Sequence, residues 1–328
     1  MTITSAHGGG GAATAALIRE VFQAQFSNDV LDRMEDAAVL PRPDGEIAFT
    51  TDSFVVTPLF FPGGDIGKLA VCGTVNDLLM RGARPMYLSA GFILEEGLAV
   101  ETLRRVARSM REAADEAGVS IVTGDTKVVG GAGGLYINTS GIGAVAPGRD
   151  IGAARCRAGD AVIVSGRLGN HQACIWSRRM GIANDIVSDC APLNDMVANL
   201  LDGGIEVHAL RDLTRGGLAT ALNELAAASG VSIGLSRDWV MADEPVAALC
   251  DILGLDPMTM ANEGKLVLVT PERDAVRALN ILRRSRYGGG AQLIGRVHAG
   301  EPAVTIATRA GGRRRVEMLS GEGLPRIC

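Results

Sequence analysis

The sequence predicts a chain of two domains in which helices and strands are mixed, an α/β or α+β fold, and three observations carry that prediction. At 328 residues the chain exceeds the size at which a single hydrophobic core usually stops growing. Short β-type runs alternate with helical stretches along its whole length. A stretch with Gly, Pro and Arg and weak periodicity, 147–160, separates one such cycle from a second.

In the first cycle, 45–51 reads as a strand, 65–81 as a helix and 86–94 as a strand. An amphipathic helix runs over 100–117 and stops at Gly118, and strands 119–123 and 135–145 follow. Beyond the linker come a strand at 161–165, helices near 172–183, 192–202 and 217–229, and a strand at 231–235. The remaining elements are a helix near 244–253, a strand at 265–270, a helix over 272–284, and strands near 292–298, 303–307 and 315–319. The sequence closes on Ser-Gly-Glu-Gly-Leu-Pro-Arg-Ile-Cys, too rich in Gly and Pro for a regular element. Nine or ten extended residues reach roughly 30 Å. The expected division is therefore 1–148, 149–318 and a flexible tail, 319–328, that carries Cys328.

Hydrophobic residues make up 47% and charged residues 21%, a globular balance, and 4% aromatic content leaves the core to aliphatic side chains. A net charge of −5 gives no basic face for nucleic acid, and Arg313-Arg314-Arg315 reads as a solvated strand end. The opening Met-Thr-Ile-Thr-Ser-Ala-His has neither the charged start nor the apolar run of a signal peptide. No apolar stretch of about 18 residues suits a membrane span. Cysteines at 72, 156, 174, 190, 250 and 328 form no Cys-x-x-Cys pair and no Cys/His cluster. That argues against zinc and a disulfide framework, and for reduced thiols in a cytoplasmic protein. All but Cys328 lie among apolar neighbours and read as buried small residues.

Acidic residues recur where elements give way to polar loops: Asp36, Asp52, Asp77 and Asp125. Carboxylates at strand ends suit Mg²⁺, a hard cation that also takes phosphate oxygens, while each alone also suits a cap or turn. Asn76 and Asp77 interrupt an otherwise apolar helix, and Asp125 precedes Thr126 and Lys127 after a buried-strand pattern. The glycines of 130–134 could cradle phosphate or form a plain hairpin. No Walker A loop or strand-borne Gly-x-Gly-x-x-Gly is present. In the second half, Arg211-Asp212-Leu213-Thr214-Arg215-Gly216-Gly217 and Ala261-Asn262-Glu263-Gly264-Lys265 concentrate charge at element boundaries, as a site or as salt-bridged surface loops. His171 reads as a helix cap or surface residue rather than a catalyst.

Together these segments closely resemble the HypE family, the carbamoyl dehydratases of nickel-iron hydrogenase maturation, over nearly the full length. The matching stretches are Thr51-Asp52-Ser53, 58–64, 91–97, 124–128, 211–217, 261–265 and the final Pro325-Arg326-Ile327-Cys328. One departure is Gly169-Asn170-His171-Gln172, where many relatives read Gly-Asp-His-Gly. The resemblance implies an α+β, PurM-like architecture shared with aminoimidazole ribonucleotide synthetase, in which N-terminal domains pair into a β-barrel in a homodimer with ATP beside the interface. It further implies that Asp36, Asp52, Asp77 and Asp125 hold Mg²⁺ and phosphates, with Asn76 and Thr126 at the nucleotide and Asp212 a further metal ligand. Lys127 and Glu263 match catalytic residues of the family.

By the same resemblance the carbamoyltransferase HypF loads a carbamoyl group onto Cys328, and ATP phosphorylates its oxygen. Loss of phosphate and a proton leaves a thiocyanate, whose cyanide passes to iron held by HypC and HypD. Glu263 is then the candidate base for the amide proton, and Lys127 a stabiliser of phosphate charge. Two rivals differ in what they require. A kinase or synthetase acting on a free small molecule needs no Cys328, and a carrier that only shuttles a group on Cys328 hydrolyses no ATP.

Overall fold

A computed structural model describes residues 1–318. The N-terminal half opens with two helical pieces that the sequence reading did not anticipate, α1 (Ala12–Leu17) and α2 (Ala24–Phe26), joined by a wider helical turn over Ile18–Gln23. There follow β1 (Glu46–Phe54), the small hairpin strands β2 (Phe60–Phe61) and β3 (Gly64–Asp65), α3 (Ile66–Met80), β4 (Arg84–Glu95), α4 (Val100–Ala117), β5 (Ser120–Val129) and β6 (Leu135–Val145). The main sheet has the order β1-β6-β4-β5. Its β4–β5 pair is parallel, joined by the α4 crossover, and its other pairs are antiparallel.

Helix α3 occupies the centre of the molecule. Asp65 caps it, accepting from the backbone N–H groups of Gly67 at 2.7 Å and Lys68 at 3.1 Å. Every residue of α3 is buried except Lys68 and Asp77, the pattern of a helix covered on all sides. One side packs on β1, β4 and β6; the other meets the C-terminal half. Helix α4 buries the stripe Leu103, Val106, Ala107, Met110, Ala113, Ala114 and Ala117.

The C-terminal half comprises β7 (Asp160–Val164), α5 (Asn170–Arg179), α6 (Asn194–Asp202), β8 (Ala209–Asp212), α7 (Gly217–Ser229), β9 (Ser232–Leu235), α8 (Glu244–Leu253), β10 (Leu266–Pro271), α9 (Glu272–Arg284), β11 (Gln292–His298), β12 (Ala303–Ala307) and β13 (Arg313–Arg315). Its sheet runs β13-β12-β9-β11-β7-β10-β8. One apolar core lies between a face of this sheet and α7. The other face joins α5, α6, α8 and α9 to the core around α3 and α4, so a single apolar region runs through both halves.

Three expectations need correction. The strand expected at 119–123 continues through Asp125 and Lys127 to Val129, because it stays paired with β4 to its end. The four-residue strand β8 was not foreseen, since half of it is Arg211-Asp212. The strand expected at 315–319 is the exposed β13 instead, ending at Arg315, and Leu319 lies outside the described residues. The tail with Cys328 also lies outside them. The other cysteines, Cys72, Cys156, Cys174, Cys190 and Cys250, are buried and free as expected. No helix among the described residues is long and apolar enough to cross a membrane.

Candidate active site

The C-terminal half brings two charged motifs to a cavity of about 190 Å³ beneath the β1 edge of the N-terminal sheet. Asp52 enters from β1, Asp77 from α3, Asp212 from the end of β8, and Glu263 from the turn before β10, with Thr214 and Arg215 alongside. Local structure explains each placement. Asp52 alternates inward with Thr50, whose hydroxyl donates to Asp77 Oδ2 at 2.9 Å. Asp212 sits where β8 hands over to α7, and Gly217 permits that turn: its φ is +60°, and a Cβ there would lie 2.6 Å from the carbonyl oxygens of Met258 and Met260.

Burial and mutual repulsion govern the electrostatics of this cavity. Asp212 is pushed up to about 7, first by burial and then by the charges of Asp77 and Asp52, against the pull of Arg211. Burial raises Asp77, with the Asp52 charge adding and the Thr50 hydrogen bond opposing. Glu263 is raised well above the ordinary carboxylate value by burial, then by Cys190, Asp212, Asp189 and Asp52. These acids share too few cations for all to ionise comfortably. Within the described residues no group of three or more His, Cys, Asp or Glu converges as a ready metal cage.

Asp125 and Lys127 lie elsewhere. Register places them opposite Gly91 and Ile93 on β5, the far edge of the sheet from β1. The row from Asp52 runs through Thr139 and Ala90 to Gly124, three strand spacings of about 4.8 Å each. Asp52 and Asp125 of one chain therefore stand too far apart to ligate one ion whose bonds are about 2 Å. Here the charge is already matched: Lys127 Nζ donates to Asp125 Oδ1 at 2.9 Å and lies 2.7 Å from Oδ2. That hydrogen bond leads in holding Asp125 below the usual carboxylate value. Asp125 and Thr126 border an apolar cavity of about 210 Å³ walled by Phe22, Phe26 and Phe92. Asp36 is exposed beside it; Glu35 and Ala37 line that cavity.

Two further expectations change. Asn76 has both ends of its amide engaged across the halves: Nδ2 donates to Ala191 O at 3.1 Å, and Oδ1 accepts from Leu193 N at 2.9 Å. Its polarity inside an apolar helix is thereby explained without a ligand. His171 is fully buried, not a cap or surface residue; its Nδ1 pairs with Ser188 Oγ at 2.8 Å, and burial lowers it to about 4. In the 130–134 loop the N–H groups of Ala132 and Gly134 both donate to Glu95 Oε2 at 2.8 Å, so these two amides already hold a carboxylate of the chain.

Sequence reasoning missed Asp189. Its carboxylate accepts from Glu263 N at 3.3 Å and stands 3.2 Å from Lys265 Nζ. Lys265 aims its hydrogen bond at Gly264 O, so its contact with Asp189 Oδ2 is one of charge rather than alignment. An isolated acid in an irregular segment carries no periodic or motif signal.

Sheet, helix α3 and carboxylate cavity define a protein of the AIR synthase-related class. The family profile "AIR synthase related protein, N-terminal domain" matches residues 34–145, and that of its C-terminal domain matches 157–307. The carbamoyl dehydratase HypE of Rhodobacter capsulatus is 50% identical over 336 residues, covering 99% of this chain and 98% of its own. A solved hydrogenase maturation protein HypE in complex with ATP shares 48% identity at a TM-score of 0.95, covering 100% of both chains. A HypE–HypF complex contains a chain 47% identical at a TM-score of 0.81, covering 93% of this chain and 100% of that one. The chain belongs to the HypE family of carbamoyl dehydratases.

Proposed function

We propose that the chain dehydrates an S-carbamoyl group on its own Cys328 to a thiocyanate at the expense of ATP, supplying cyanide for the iron of a nickel-iron hydrogenase. Its relatives' names and the ATP held by a structure 48% identical support the activity and the nucleotide. The observation that carries the site is the carboxylate cavity with the buried Glu263 in its wall.

Mg²⁺ fits the donor set. The oxygens are hard, and the burial and, after it, the neighbouring carboxylate charges that raise Asp77 and Asp212 are what a bound cation offsets. Asp52, Asp77 and Asp212, which among the described residues do not converge as a closed cage, would hold it together with phosphate oxygens. Bound there, the ion supplies charge neutralisation on the transferring phosphoryl group. Thr214 and Arg215, just before α7, line the same space and suit phosphate oxygens. The apolar cavity beside Thr126 suits the base of the nucleotide.

Homodimer formation unites the two acidic sets. The four-stranded sheet carries α3 on one face only, and the opposite face exposes Ile47 (59%), Phe49 (67%) and Ile93 (47%). Such a face invites a second copy, and closure into a barrel also covers the edges. Where β5 of one copy meets β1 of the other, Asp125, Lys127 and the neighbouring Asp36 come beside the carboxylate cavity. The division at residues 148 and 318 and a cytoplasmic setting, with free buried thiols, complete this reading.

In the reaction the carbamoyl oxygen takes the γ-phosphoryl group of ATP. One N–H proton leaves as that oxygen is phosphorylated, giving an O-phosphorylated imidate and ADP; loss of phosphate from carbon and of the second N–H proton from nitrogen then gives the nitrile, so carbamoyl plus ATP become thiocyanate, ADP and phosphate. Glu263 takes an amide proton: burial raises its proton affinity, which strengthens the ionised carboxylate as a base. Lys127 contributes positive charge toward the phosphate. HypF, found with a relative in a solved complex, loads the thiol, and the HypC–HypD pair accepts the cyanide. The test loads the chain with carbamoyl through HypF, adds Mg-ATP and weighs the C-terminal peptide. Loss of one water mass is expected, and an unchanged mass would refute the proposal.

A further inference from the structure

Glu263 is held from the main chain outward by a segment far from it in sequence. Its N–H donates to Asp189 Oδ1 at 3.3 Å, and its C=O accepts from Ala191 N at 3.3 Å, so both backbone polar groups of Glu263 are bonded to residues 189–191. At Gly264 a Cβ would lie 1.9 Å from Asp189 O; glycine alone lets the two segments touch so closely. Lys265 Nζ stands 3.2 Å from Asp189 Oδ2, with only 12% and 6% of the two side chains exposed. This pair pins the Asp189 side chain against the turn that presents Glu263.

The same segment is tied to the N-terminal half. Ser188 N donates to Pro62 O at 2.9 Å, and Asn76 of α3 bonds Ala191 O and Leu193 N. Asp52 and Asp77, which face Glu263 across the cavity, belong to that half. Segment 188–193 thus fixes the base on one half relative to the carboxylates of the other.

We propose that Asp189 is a positioning residue for the dehydration, holding the Glu263 main chain so that its carboxylate meets the substrate; this rests on the reading of Glu263 as the base. A displacement of the order of 1 Å at such a group costs up to about 100-fold in rate. Removing Asp189 alone leaves Lys265 buried without its counter-charge, so the informative variants change both. Asp189→Asn with Lys265→Gln removes the charges but keeps an acceptor for the Glu263 N–H. Asp189→Leu with Lys265→Met removes the charges and the acceptor.

Each variant is carbamoylated by HypF, and conversion to thiocyanate is timed by mass over a range of ATP concentrations. The Leu/Met pair should lose about 10- to 100-fold in kcat with KM for ATP within about twofold. The Asn/Gln pair should stay within about threefold of the parent, a rescue that a merely structural role does not give. Should the Leu/Met pair not fold, Asp189→Ser with Lys265→Gln, the serine too short to reach that N–H, takes its place with the same expectation. Equal rates for the two pairs, both fast or both slow, would overturn the inference. Glu263→Gln separates this failure from a deeper one: if it leaves dehydration intact, the reading of Glu263 as base fails instead.

Discussion

The acids under the β1 edge and those at the β5 edge are the same residue types in opposite circumstances. Asp212, Asp77 and Glu263 are driven toward their protonated forms, first by burial and then by one another, whereas Asp125 is held ionised by Lys127 at 2.9 Å. The first set has only Arg211 and Arg215 acting against the raised Asp77, and gains by acquiring more positive charge from a ligand. The second carries its own cation and is exposed. The contrast teaches that an acidic motif alone does not define a site; the environment decides whether a carboxylate waits for a metal, stores a proton or merely pairs.

The strongest way to break this comparison is Glu263→Gln. Deleting a general base costs typically about 10²- to 10⁴-fold, so dehydration should fall by that factor while HypF still loads Cys328. Mass analysis of the loaded peptide with and without ATP reads both steps. A variant that loads and dehydrates normally would remove the buried set from catalysis.

How much of this was legible from the chain depended on whether the signal was local. Helix α4 was read end to end at Val100–Ala117 because its apolar stripe repeats at helical spacing up to Gly118. Strand β5 was cut short because Gly124-Asp125-Thr126-Lys127 looks like a loop; its pairing with β4 comes from another part of the chain. Asp52, Asp77, Asp212 and Glu263 stood out as acids at element boundaries or in an apolar helix. Their separation from Asp125 was invisible, since it is set by strand order, and periodicity along one strand says nothing of which edge that strand occupies. Asp189 was missed altogether, because its partners Glu263 and Lys265 lie more than 70 residues away.

Lys127→Ala sharpens the comparison from the other side. An exposed ion pair contributes about 0–1 kcal/mol, so thermal unfolding should hardly change. Dehydration should slow by about 10²-fold or more if the lysine meets phosphate charge across a dimer interface, as electrostatic stabilisers of this kind do. Loss of activity with stability intact marks a functional residue; loss of both, or of neither, does not.

The pH dependence of folding without metal tests the buried set directly. Asp212 rises from 3.8 to about 7, so between those pH values the folded chain binds a proton that the unfolded chain has released. Its contribution is fully present below about pH 4, declines as pH rises, and is gone above about 7. At 1.36 kcal/mol per unit the decline is at most about 4 kcal/mol. Denaturant unfolding in the presence of a chelator should therefore give Asp212→Asn a shallower loss between pH 4 and 7. Added Mg²⁺ at pH 7.5 should stabilise the parent more than the variant.

The smallest effect expected is at Ser188, outside both acidic sets. Its hydroxyl pairs with His171 Nδ1 at 2.8 Å and accepts from Cys190 N at 3.1 Å, so Ser188→Ala strands two buried polar groups. That costs about 1–3 kcal/mol of stability, readable as a lower denaturation midpoint. Because burial lowers His171 to about 4, its ring is neutral throughout the range from pH 5 to 8 and supplies no titrating group to the reaction. The pH profile of dehydration in Ser188→Ala should keep the parent's shape. A shifted profile would show that the 188–193 segment transmits charge as well as position to Glu263, and the contrast between the two acidic sets would then need a third participant.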